Sequence, residues 1–192
     1  MSTTLPPAST APHRSFVERL LGALRLDAAT FDEIEHDRGA LGQAAVVVVL
    51  GGIAAAIGSI GSGSSAVGAV LGSLLGWGIS AGFIWLVGVY FMKHTSDYPE
   101  LLRTLGFASA PQLLLVLRGI PLLGGLIALV ALLWGLAAWV VAVRQALDVD
   151  TGRAVLVCVL AVVVNGACIV GLVLLLGGMI CGFGSGPGTV GF

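Results

Sequence analysis

Five apolar stretches, divided by short polar breaks, take up most of this 192-residue chain. They lie at about 42–60 ("GQAAVVVVLGGIAAAIGSI"), 66–92, 101–117, 120–143 and 154–180. Crossing a bilayer core as a helix takes about 20 apolar residues. The pattern therefore predicts an all-α fold, a polytopic membrane helical bundle with five transmembrane helices. The chain is 57% hydrophobic and only 10% charged, where a soluble domain carries about 25% charge. That leaves no large soluble domain to hold an ordinary enzyme core. The formal charge of −1 gives no basic tail, so no nucleic acid partner is expected.

The third stretch is the shortest. Counted from Leu101 it has 17 residues, with Arg103 and Arg118 at its ends, both placed to snorkel to opposite headgroup layers. Pro111 lies inside it, where a helix loses a hydrogen bond and kinks, and "RGIP" forms the turn into the fourth stretch. A re-entrant hairpin made from stretches three and four is the competing arrangement. Charge decides between them. With five crossings, Arg14, Arg19, Arg25, Arg38, Lys93, Arg103, Arg144 and Arg153 share one side and Arg118 alone takes the other. The positive-inside rule makes that side cytoplasmic, with the N-terminus in and the C-terminus out.

Ahead of the membrane, residues 1–12 read as a disordered lead without the charged start and apolar core of a cleavable signal peptide. Residues 13–40 read as cytoplasmic or interfacial helices. "RSFVERLLGALRLD" sets Phe16, Leu20, Leu21, Leu24 and Leu26 near one helical side, with Arg14, Glu18, Arg19 and Arg25 as the polar side. Such a helix lies either in the headgroup plane or on the protein's own cytoplasmic surface. Thr30 followed by Glu33 has the spacing of a capping box, predicting a helix start there. "GSGSS" at 61–65 reads as a tight turn, Thr151 as the cap of the last helix, and 181–192 as a flexible glycine-rich tail.

Candidate functional positions are few. Gly68, Gly72 and Gly76 form two overlapping GxxxG steps, and Gly78 with Gly82 adds a third. Small residues at this spacing bare the backbone to another helix. They serve either packing within the bundle, oligomer formation or a substrate groove. Pro111, Gln112 and Asn165 are the remaining helix-packing or cavity candidates, the two amides serving as glue between helices or facing a cavity. Glu33 and His36 have the Glu-x-x-His spacing of di-iron bundles, but the second motif and further carboxylates such a site needs are missing. Cys158, Cys168 and Cys181 have no metal-ligand spacing and no disulfide framework. No catalytic, cofactor-binding or metal-binding residue is assigned.

The segments "FVERLLGALRLDAATFDEIEHD" and "LLRTLGFASAPQLLLVLRGIPLLGGLIALVALLWGLAAWVVAVRQALDVDTGRAV" flank a glycine-rich helix pair. This order over residues 15–178 resembles bacterial members of the Yip1 family of integral membrane proteins. The resemblance implies a five-helix membrane domain with a cytoplasmic N-terminus and supplies no catalytic residues. Eukaryotic relatives bind Rab-type small GTPases. With only about 40 residues before its first crossing, this chain gives no ground for carrying that partner over. The expected function is that of a non-enzymatic integral membrane protein, an organiser, scaffold or membrane-shaping component of the bacterial cytoplasmic membrane. Membrane lipids are expected as partners, together with a second copy or another membrane protein. The alternatives are a small transporter or lipid-handling protein using a cavity at the kinked third helix, and an accessory subunit of a larger membrane complex.

Overall fold

The computed structural model describes residues 14–60, 65–91 and 97–184. The lead over 1–12, most of the "GSGSS" turn, His94 and the end of the tail lie outside the described residues. Helix α1 spans Phe16–Leu24, α2 Ala28–His36, α3 Ala40–Gly58 and α4 Ala66–Phe91. Then come α5 (Tyr98–Ala108), a 3-10 helix (Ala110–Gly119), α6 (Gly124–Ala146) and α7 (Thr151–Gly184). Five spans are long and apolar enough to cross a membrane, and the third is α5 continued by the 3-10 helix. The chain is an all-helical membrane bundle.

Close approaches at glycines fix the packing. A side chain at Gly106 would run into Ala44, and one at Gly58 would strike the Leu115 carbonyl. The third span therefore runs parallel to α3. Gly52 abuts Val70 and Ser73 of α4, and Gly88 of α4 abuts Leu147 after α6. α4 thus returns antiparallel to α3. Its C-terminal half packs beside the link after α6. α5 is the central helix, buried from Arg103 through Ala108. Alanine supplies half of the buried apolar positions among the described residues. The large side chains point outward instead, including Leu50, Ile53 and Ile57 of α3, Leu71 and Leu75 of α4, and Leu132 and Leu133 of α6. Small inside and large outside is the arrangement of helices that pack by close backbone contact and face lipid. In water such a surface would be an aggregating patch.

The third span departs from expectation. It starts at Tyr98 rather than Leu101, because the Glu100 carboxylate accepts from the Asp97 N–H at 2.9 Å and Pro99 sits in the first turn. Pro111 does not kink an α-helix; it stands at the head of the 3-10 segment. Near the change of geometry, the Ser109 hydroxyl donates to the Leu105 carbonyl at 3.0 Å. A 3-10 helix rises about 2.0 Å per residue against about 1.5 Å for α. Eleven α and ten 3-10 residues therefore reach about 36 Å, enough for a bilayer core of about 30 Å. The lengthened backbone is how a sequence with a short apolar run still spans.

Candidate functional site

The densest polar chemistry lies where α1 and α2 meet the bundle. Ser15 and Glu18 form a reciprocal capping box at the start of α1. α1 ends in a Schellman arrangement: the Asp27 N–H donates to the Gly22 carbonyl and the Leu26 N–H to that of Ala23. Leu26 takes the left-handed conformation at φ 60 that glycine usually fills. Asp27 then caps α2, accepting from the Ala29 N–H at 3.2 Å and from the Thr30 hydroxyl at 2.6 Å. The predicted cap at Thr30 is thus displaced by one turn. Thr30 sits inside α2, buried against Gly22, where a side chain on Gly22 would overlap it.

Arg19 holds the two helices together. It is 1% exposed. Its guanidinium donates to Glu33 at 2.9 and 3.2 Å and to Gln43 of α3 at 3.2 Å, and it pairs with Asp37 at 2.6 Å. Arg14 adds pairs with Asp27 at 3.0 Å and Glu33 at 3.4 Å. Arg19, expected on the polar outside of α1, is therefore turned inward, and Arg14 reaches across to α2 while partly exposed. Opposed carboxylates surround Arg19, so burial of its charge is compensated. The hydrogen bond from Thr30 holds the Asp27 carboxyl below the usual carboxylate range.

Arg103 is the second buried arginine. It does not snorkel to the headgroups as its position at the end of an apolar run suggests. It is 5% exposed, its guanidinium donates to the Glu35 carbonyl, and its Nε lacks a partner. It pins α2 to α5. The Glu35 carboxyl is pushed up to about 7, chiefly by burial, with Glu100, Asp148 and Asp32 adding repulsion and His36 opposing it. Asp32, Glu35 and His36 bring ligand atoms within 4.8 Å of one another on α2. This group replaces the Glu33–His36 pairing considered from the sequence, because Glu33 turns to Arg19. Asp32 and His36 are exposed, and the His36 ring bonds the Asp32 carbonyl at 2.8 Å. It is a solvated turn of helix.

The intramembrane candidates scatter. Asn165 of α7 donates to the Gly76 carbonyl at 3.4 Å and to the Ser80 hydroxyl, which in turn donates to Gly76 at 2.7 Å. Its Oδ1 has no partner. Gln112 lies instead beside Gly51 of α3. The two amides thus face different helices. Gly76 is approached by Asn165, and Gly78 and Gly82 by the Tyr98 ring, whereas the space before Gly72 is open and Gly68 meets only Ser65. Pro111, within the third span, is buried. An open cleft of about 470 Å³ lies elsewhere, between α1 and α3, lined by Phe16, Gly39, Gly42, Gln43 and Val46. The sequence did not mark it. At the last link, Asp150 rather than Thr151 caps α7, accepting from the Arg153 N–H at 3.3 Å and pairing with its side chain at 3.2 Å.

No curated protein and no solved structure matches the chain significantly. The Yip1 domain family model matches residues 21–180, from within α1 into α7. That range takes in all five spans, α2 and Arg103, and the chain belongs to the Yip1 family.

Proposed function

We propose that this protein is a non-enzymatic organiser of the bacterial cytoplasmic membrane, acting through its shape and helix packing. One observation carries the reading. α1 and α2 are clamped by ion pairs to each other and packed onto α5 and α6 at one end of the bundle. In this reading the two helices add bulk to the molecule on one side of the bilayer that the other side lacks. The positive-inside rule supports placing that end in the cytoplasm, since Arg14, Arg19, Arg25, Arg38, Arg144 and Arg153 gather there and Arg118 lies at the far end. The separate surroundings of Gln112 and Asn165 favour packing over a transport path, which needs polar groups that converge. The test is sorting between flat and curved membrane in giant vesicles with pulled tethers. Enrichment is expected where the α1/α2 end lies on the expanded leaflet. Equal density in tether and vesicle would overturn the reading.

A lipid-handling protein is the second reading, favoured by the open cleft between α1 and α3. Native mass spectrometry in mild detergent separates the two. A stoichiometric lipid lost on Gly42→Leu favours handling, and its absence favours shape alone.

A further inference from the structure

α1 carries apolar side chains on both of its sides. Its inward face is Arg19, Gly22 and Ala23, all buried, flanked by Phe16, Leu20 and Leu24 packed against the core. Its outward face carries Val17, 59% exposed, and Leu21, 45% exposed, and Leu24 one turn further ends the row by packing against the core. Residues three and four apart stand on one side of a helix, so these three form a single apolar ridge. Exposed Glu18 and Arg25 lie together on the neighbouring flank. A helix that buries its arginine and exposes its valine and leucine is adapted to an apolar medium.

The contacts of α1 set its depth. The Trp134 indole donates to the Leu24 carbonyl at 3.0 Å. Trp134 is ten residues from the start of α6 and twelve from its end, which at about 1.5 Å per residue is about 15 and 18 Å. At the other end of α1, the Phe16 ring lies 6.1 Å from that of Phe107, nine residues into α5. Both anchors lie well inside membrane-spanning helices. Trp134 is itself partly exposed and leads directly to the outward Leu132 and Leu133 of α6. The ridge of α1 is thus continuous with the surface that faces the acyl chains.

We infer that α1 is inserted into one leaflet, with Val17 and Leu21 against lipid acyl chains and Glu18 and Arg25 reaching toward the headgroups. The occupant of this face is the bilayer. Long charged side chains keep their heads in the polar layer while their stems lie along apolar surface. The ion pairs of Arg19 point away from lipid into the joint with α2. This rests on the shaping reading, for which an inserted helix supplies the extra area in one leaflet. The two can still fail separately, since depth is measured without any curvature.

The experiment is site-directed spin labelling in nanodiscs of zwitterionic and anionic phospholipid. Val17→Cys and Leu21→Cys are compared with Asp32→Cys and His36→Cys on α2, in a background with Cys158, Cys168 and Cys181 changed to alanine. All four positions are exposed, so labelling leaves packing intact. Collision with oxygen is expected to exceed collision with a water-soluble nickel chelate severalfold at 17 and 21, and the order to reverse at 32 and 36. Nickel access at 17 and 21 equal to that at 32 would overturn the inference. So would shielding from both reagents, which would put a protein on this face.

Discussion

α1 and α2 are consecutive, equally long at nine residues each and joined by a short link, yet they are built in opposite senses. α2 buries Phe31 and Ile34 and exposes Asp32 and His36, as a helix facing water does. α1 buries an arginine and exposes Val17 and Leu21. The difference shows that hydrophobic pattern reports the medium on each side of a helix. The ionic joint between the two lets one face lipid while the other faces water. Arg19 belongs to α1 by sequence and to the carboxylates of α2 by chemistry.

That contrast can be broken most forcefully at Arg19. Arg19→Met removes the buried arginine from Glu33 and Asp37, while Glu33 keeps its pair with Arg14, and is expected to cost about 3 kcal/mol, the low end for breaking a buried pair. Thermal unfolding in detergent measures the loss. Arg103→Met is the control. Its guanidinium has a backbone carbonyl as hydrogen-bond partner and an orphaned Nε, so an apolar replacement is expected to be far milder. Equal losses would show that the carboxylates of α2 do not matter. Next comes Gly22→Val. The added side chain would overlap Thr30, and overpacking of this kind costs about 1–3 kcal/mol. Faster proteolysis between α1 and α2 is the readout, and unchanged cleavage would mean that the helices do not meet there.

Acidity sharpens the comparison further. The folded pKa of Glu35 lies above that of an unfolded glutamate. Its contribution is therefore fully present below about pH 4.5 and is lost as pH rises through about 7. His36, raised by its bond to the Asp32 carbonyl, works in the same direction. Asp27 is lowered, so its contribution is present above the usual carboxylate range and lost as pH falls. α2 is expected to loosen between about pH 4.5 and 7, as read by hydrogen-exchange protection relative to the unfolded chain at each pH, and Glu35→Gln should remove most of that dependence. A persistent slope in Glu35→Gln would point to another group. The smallest effects are expected at Val17→Ser and Asp32→Ser, each within about 0.5 kcal/mol in detergent. A larger loss at either would mean that its side chain is covered.

The five spans were legible because length and apolar content alone determine them. The amphipathic entry was legible as well, but not which side of it faces in. Sequence marks Arg19 and Arg103 as exposed because the groups that receive them lie on α2, far along the chain for Arg103. Capping signals are visible in the sequence, but spacing alone does not tell which of them act. "SFVE" and "DYPE" both carry the spacing of a capping box, whereas Thr30 with Glu33 has the same spacing without the function. A local motif cannot know that the chain already turned at Leu26. Glycines posed a similar problem. The run at Gly68 and Gly72 has the clearer pattern, yet Gly52, Gly58 and Gly106 are approached far more closely. A glycine's partner is set by the shape of the opposite helix, which periodicity does not contain. Pro111 announced a disturbance, but its outcome as ten residues of 3-10 helix depended on the fit between α3 and α6.

That segment has a mechanical consequence. Rewinding ten residues from 3-10 to α geometry shortens them by about 5 Å, a change comparable to the difference in thickness between natural bilayers. The third span therefore holds a reserve of length in its winding, at the end of the bundle remote from the ionic joint. In a thin membrane it can contract without tilting α5, and the joint at Arg19 and Arg103 keeps its place.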